Sequence, residues 1–255
     1  MTHWIRYEHR GETGFGALES GSIRVHSGDV FAGARPSGAV LALDAVKVLT
    51  PTQPSKMVAL WNNFHALAAK LGNPEPAEPL YFLKGNNSFL AHGGTIRAPA
   101  SYAGKVVFEG ELGVVIGRRC AAVSLAAAPN YVFGYTCIND VTAVDIINKD
   151  ASFGQWARAK SFDTFGVFGP VVATALDPAK LAVKTLLNDQ ERQNYPVADM
   201  IFSPLQLVSL ISQDMTLEPG DVIACGTSVG VGSMKPGSRV EVVIDGIGTL
   251  SNRYE

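Results

Sequence analysis

FEGELGVVIGRRC, residues 108–120, decides how the chain is read. Phe108, Leu112, Val114, Val115 and Ile116 form an apolar, β-branched run bounded by glycine, the pattern of a strand. Glu109 and Glu111 sit inside it. In a strand, residues two apart share a face, ~6–7 Å from one another. Like charges at that distance repel by roughly 2–3 kcal/mol at an effective dielectric near 20. Gly110 between them leaves the opposite face bare, a place for close approach. A solvated strand face is one reading of the two acids. The flanking VV and LGVVIG suggest instead a strand buried on both faces, where unpaired carboxylates cost several kcal/mol each. A divalent cation would reverse that cost.

Asp140 ends a second apolar stretch, YTCIND, and is either a third ligand or a cap for the following VTAVDII. Three carboxylates without Cys or His make a hard oxygen site suited to Mg²⁺ or Mn²⁺, with open positions for water or substrate. Lys160 and Arg158, in GQWARAKSFDTFG, and Thr227, in CGTS, read singly as surface or turn residues. They gain meaning only in combination.

The rest of the chain sets the class. Its 255 residues are 47% hydrophobic with net charge −2, enough for a full core and without the basic surplus that nucleic acid or a membrane surface would require. No run approaches the roughly 18–20 apolar residues of a membrane span, and the polar N-terminus is unlike a signal peptide. Cys120, Cys137 and Cys225 are far apart and read as buried free thiols in a reducing compartment. A cytoplasmic globular protein is expected.

WIRYEH, GFGALES and SIRVHSG alternate between glycines and predict a small β-rich N-terminal domain over 1–53, joined by LTPTQPSK to a domain over 54–255. FHALAAKLG predicts a short helix stopped at Gly72. SPLQLVSLISQDM predicts a helix capped by Ser203 with Pro204 in its first turn. A further short helix is expected after Ser124. Strands outnumber helices, so the fold class is mainly β with α (α+β).

Four segments, EPLYFLKG, FEGELGVVIGRRC, GYTCINDVTAVDI…GQWARAKSFDTFGVFGP and MTLEPGDVIACGTSVGVGSMKPGSRVEVVIDGIGTLSN, resemble the fumarylacetoacetate hydrolase family in order and spacing across residues 54–252. The resemblance implies a mixed β-roll core with a small N-terminal domain, and a homodimer. It implies Glu109, Glu111 and Asp140 as ligands of one Mg²⁺ or Mn²⁺. Lys160 matches the lysine that hydrogen-bonds substrate oxygen, Thr227 the threonine that holds a substrate carboxylate, and Lys84 a further lysine near the pocket. Family substrates are enolisable 2-oxo acids, often ring-fission products of aromatic catabolism.

Three departures accompany the match. Many members carry a His…Glu pair in the short helix, where Leu67 and Lys70 stand here. His65, two residues early, either replaces that base or is an exposed helix histidine. Val144 and Ile147 stand where hydrolytic members have Arg and Gln, and Arg158 compensates if its segment is extended. Ser228 replaces a proline. Hydrolysis of a C–C bond in a 2,4-dioxo (acylpyruvate-type) acid comes first on family frequency. Isomerisation, oxaloacetate-type decarboxylation and a non-catalytic oxo-acid-binding role are the alternatives.

Overall fold

Two-residue hairpins open the chain, and the computed structural model describes all of residues 1–255. Strands β1 (His3–His9), β2 (Glu12–Glu19), β3 (Ser22–Ser27) and β4 (Arg35–Ala42) run as an antiparallel meander. Arg10-Gly11 and Ser20-Gly21 take positive φ at both turn positions, which matches the twist of the strands they join. β5 (Lys47–Val48) returns to pair with β1. There follow β6 (Met57–Trp61), α1 (His65–Leu71), β7 (Leu80–Lys84), β8 (Phe89–Leu90), β9 (Thr95–Ile96), β10 (Val106–Phe108) and β11 (Gly110–Ile116). Next come β12 (Val132–Asp140), β13 (Thr142–Ala143), α2 (Val144–Ile147), α3 (Trp156–Lys160) and β14 (Gly166–Ala173). The last are β15 (Ala182–Leu187), β16 (Gln190–Pro196), α4 (Pro204–Asp214), β17 (Val222–Ala224), β18 (Gly232–Ser233), β19 (Arg239–Ile244) and β20 (Gly248–Tyr254).

These strands form three sheets. The largest runs β4-β3-β2-β1-β14-β12-β11-β17-β6-β7, mostly antiparallel with a parallel β17–β6 pair. Because β1 pairs with β14, the N-terminal strands continue this sheet. A second sheet, β16-β15-β19-β20-β9, packs against one face, and a short third sheet, β13-β10-β18, lies beside the site. The larger core sits on the face that takes Leu112 and Val114, with Val183, Val242 and Leu250 from the second sheet. Val115 points the other way, into a smaller core with Met57, Ile138, Phe168 and Val222. Every residue of β11 is buried, as the unbroken apolar run requires.

Gly72 ends α1 in the left-handed conformation at φ 69°. Ser203 caps α4 in a reciprocal capping box with Gln206. The helix expected after Ser124 is different: Ser124 starts isolated turns that lead into a 3₁₀ segment at Ala128–Tyr131. Pro129 has no N–H to extend an α ladder there. The three cysteines are buried and free. No helix is long and apolar enough to cross a membrane.

Candidate metal centre and active site

Glu109 stands where the chain passes from one sheet to another. β10 pairs with β13 and β18, β11 with β12 and β17, and Glu109 lies at the break. The β11–β12 register sets Gly110 opposite Asn139, and the Asp140 N–H donates to the Glu109 carbonyl at 2.9 Å. Two neighbouring strand ends thereby bring three acids together. The carboxylate oxygens of Glu109, Glu111 and Asp140 lie within 4.8 Å of one another. The face opposite the acids is as bare as glycine makes it. A Cβ on Gly110 would lie 2.0 Å from Thr185 Oγ1.

Two lysines offset part of the charge. Lys160, at the end of α3, donates to Asp140 Oδ2 at 2.6 Å and to Glu109 Oε2 at 2.8 Å. Lys84, from the end of β7, donates to Asp140 Oδ1. Thr142 donates to Glu109 Oε1 at 2.8 Å. Burial works against ionisation of Asp140, but the two ammonium groups overcome it and hold the carboxyl below its ordinary range. Burial likewise opposes the charge on Lys160, and Asp140, Glu109 and Glu111 together hold it cationic. For Lys84 burial prevails and the ammonium is lowered.

Glu111 is the exception. Its Oε2 accepts from the Gly226 N–H at 2.9 Å, while its fully buried Oε1 has no protein partner. Burial, then the charges of Asp140 and Glu109, push its carboxyl well above the usual range. An orphaned acceptor among three converging hard oxygens fits a divalent cation, which would supply the missing partner.

Beside the carboxylates opens a cavity of about 320 Å³, lined by Glu109, Thr227, Trp61, Leu67, Ile147 and Trp156 among others. Thr227 Oγ1 accepts from Gln193 at 2.8 Å and donates to the Gly110 carbonyl at 2.9 Å. Gln193 Oε1 accepts from the Gly110 N–H at 3.0 Å, and the Tyr195 hydroxyl also donates to the Gly110 carbonyl. Gln193 and Tyr195 thus fix the backbone between the two glutamates.

Comparison with known proteins shows the family. The sequence pattern of the fumarylacetoacetate (FAA) hydrolase C-terminal domain matches residues 56–255. The chain belongs to the fumarylacetoacetate hydrolase family. An Rv2993c-like N-terminal pattern matches residues 2–51. Among family relatives, the oxaloacetate tautomerase YisK of Bacillus subtilis is 35% identical over 226 residues, 83% of this chain and 74% of its own. A 2-hydroxyhepta-2,4-diene-1,7-dioate isomerase from Mycobacterium marinum superposes with a TM-score of 0.91 at 36% identity, over 100% of this chain and 98% of that one. A fumarylpyruvate hydrolase from Pseudomonas aeruginosa, in complex with Mn²⁺ and pyruvate, superposes with a TM-score of 0.74 at 27% identity, over 80% and 90%. The mixed strand-rich architecture is that of these fumarylacetoacetate hydrolase family enzymes.

Not every residue singled out in the sequence falls in the site. Asp140 is not a helix cap; α2 begins after Ala143, and Asp140 remains within β12. Lys84 is 1% exposed and lies behind Asp140, outside the cavity lining. In this structure its ammonium is bonded to that carboxylate. Arg158 sits on α3, which is helical where an extended segment was needed; two residues along a helix point to different sides, and Arg158 is exposed while Lys160 is buried. His65 begins α1 on its exposed side, with Nδ1 2.5 Å from Glu75 Oε1, and does not line the cavity. Gln193, Tyr195 and the two tryptophans escaped sequence reading. The signal for the first pair was slight: QERQNYP buries only Gln193 and Tyr195, two residues apart, as a strand with one wet face does.

Proposed function

We propose that this chain is a divalent-metal-dependent enzyme, using Mg²⁺ or Mn²⁺, that forms the enolate of a 2-oxo acid and returns it to the keto form or to a shifted double bond. The observation that carries this reading is the wall facing the carboxylates. Leu67, Val144 and Ile147 occupy it, and no imidazole or free carboxylate lines it beyond Glu109. Enolate chemistry needs stabilisation of negative charge on the substrate oxygen and a proton exchanged with solvent. Hydrolysis needs in addition a base that deprotonates a water over the second carbonyl. The site supplies the first and the wall has no group for the second.

Glu109, Glu111 and Asp140 would hold the cation, which when bound supplies Lewis-acid polarisation of the 2-oxo group. The chain's own residues do the rest. Lys160 stays protonated beside Glu109 and Asp140 and presents positive charge where the substrate oxygen becomes anionic. Lys84 keeps Asp140 ionised, so that the carboxylate remains a donor. Thr227, whose hydroxyl donates to the Gly110 carbonyl in this structure, would turn that O–H to the substrate's carboxylate end while still accepting from Gln193. The family likeness to the YisK tautomerase and the M. marinum isomerase supports this class of reaction.

Hydrolysis of an acylpyruvate-type acid is the second reading, supported by the likeness to the P. aeruginosa hydrolase. Product analysis separates the two. With Mn²⁺ and acetylpyruvate, loss of enol absorbance should be accelerated while NMR shows the intact keto acid. Stoichiometric acetate and pyruvate from acetylpyruvate would overturn the proposal in favour of hydrolysis. No turnover on a broad oxo-acid panel, with oxalate still bound, would leave a binding protein.

A further inference from the structure

The cavity beside the carboxylates carries no cationic side chain. Leu67 and Leu71 face it from one side of α1, four residues apart, and Val144 and Ile147 from α2, three apart. Trp61 and Trp156 close it, their ring centroids 4.8 Å apart and tilted by 45°. Glu109 is the one charged lining residue, and it belongs to the metal centre. Lys160 and Lys84 are bonded to the acids. Lys70 and Lys149, next to the lining residues Leu71 and Asn148, and Arg158 are exposed and lie outside the lining.

We propose that the substrate of this enzyme ends, beyond its 2-oxo acid head, in an uncharged apolar group, an alkyl chain or an aromatic ring, and not in a second carboxylate. The inference rests on the 2-oxo acid reading above and adds the identity of the far end. A distal carboxylate entering this space would give up water and meet no cation, a desolvation cost without compensation. An apolar tail would cover Leu71, Val144 and Val231, which are 51%, 37% and 37% exposed at the mouth. Each methylene buried there strengthens binding about fourfold. A cavity of about 320 Å³ accommodates a tail of several carbons beside the head.

N-substituted oxamates test this without turnover, because they carry the 2-oxo acid head and no acidic C–H. Calorimetry on the Mn²⁺-loaded full chain would compare oxalate, N-(3-methylbutyl)oxamate and N-oxalyl-β-alanine. The last two have tails of the same shape, one apolar and one ending in a carboxylate. The methylbutyl compound should bind at least tenfold more tightly than the carboxylate compound. Val144→Arg, at an exposed position, should reverse that order, and Leu71→Ala should weaken only the methylbutyl compound, by about threefold or more. Oxalate bound but equal or tighter binding of N-oxalyl-β-alanine overturns the apolar far end and leaves the 2-oxo acid head standing. Binding of none of the three overturns both.

Discussion

The floor and the wall of the cavity are built by opposite means. The floor is two strand ends in register, with three carboxylates, two of which, Glu109 and Asp140, are joined to two ammonium groups by short hydrogen bonds. The wall is made largely of side chains from three helices of 7, 4 and 5 residues, the last of which also carries Lys160, with Trp61 added from β6. Such helices are well below the ~12–15 residues at which an isolated helix holds itself together, so tertiary packing maintains them. The sheet register holds the acids together. The apolar side chains of α1 and α2 at the cavity carry none of that chemistry. Family enzymes named for an isomerase and for a hydrolase reaction superpose on this same fold, with TM-scores of 0.91 and 0.74.

The largest expected effect breaks the floor. Glu111→Ala removes the orphaned acceptor that the proposed cation would satisfy, and should lower turnover at least about a thousandfold, in line with the weight of preorganised electrostatics at such sites. It should also abolish the rise in melting temperature that Mn²⁺ gives by mass action. A variant that keeps both would dismiss the three acids as a metal seat. Lys84→Met comes next. It leaves the fully buried Asp140 with one cation fewer, and breaking a buried pair from one side costs about 3–5 kcal/mol. Urea denaturation would read the loss. A change under about 1 kcal/mol would show that Lys160 alone suffices.

The floor also titrates, with a definite sign. Glu111 holds its proton above the ordinary carboxylate range when folded without metal. A raised folded value stabilises the metal-free protein below the unfolded value and loses that contribution as pH rises through the folded one. The cation must displace the same proton, so its affinity should climb by up to about tenfold per pH unit over that window and then level off. The Mn²⁺-induced rise in melting temperature should therefore grow as pH climbs from the ordinary carboxylate range through the raised folded value of Glu111. A shift that shrinks over that range would contradict the role given to Glu111.

The same contrast explains what was legible in the sequence. The floor could be read because its parts lie in strands with strong local signals: the apolar run around Glu111, the strand ending in Asp140, the glycine between two acids. The strand class, the cap at Ser203 and the stop at Gly72 were equally local. Of the wall, Leu67, Val144 and Ile147 were legible only through the family resemblance, and Trp61 and Trp156 were not, because their meeting depends on where short elements pack. Arg158 illustrates the failure: a five-residue helix and an extended segment share a sequence signature at that length, yet they send Arg158 to opposite places relative to Lys160. Thr185, Gln193 and Tyr195 reach Gly110 from a hairpin more than seventy residues later, a pairing no short-range pattern announces.

The smallest expected effect concerns two residues of one helix. His65 and Leu67 are both on α1, but His65 points to solvent toward Glu75 and Leu67 lines the cavity. The side chains of His65 and Glu75 are 47% and 58% exposed, and a surface pair of that kind contributes about 0–1 kcal/mol. His65→Ala should therefore change kcat/KM by less than about twofold (under about 0.4 kcal/mol) and leave stability nearly unaltered. Leu67→Ala should raise KM while leaving kcat close to its original value, because it removes contact made equally with the ground and transition states. A tenfold or larger fall in kcat for His65→Ala would invert this. It would mean that α1 brings the His65–Glu75 pair over the carboxylates during turnover, giving the wall the base it lacks in the structure and restoring hydrolysis to first place.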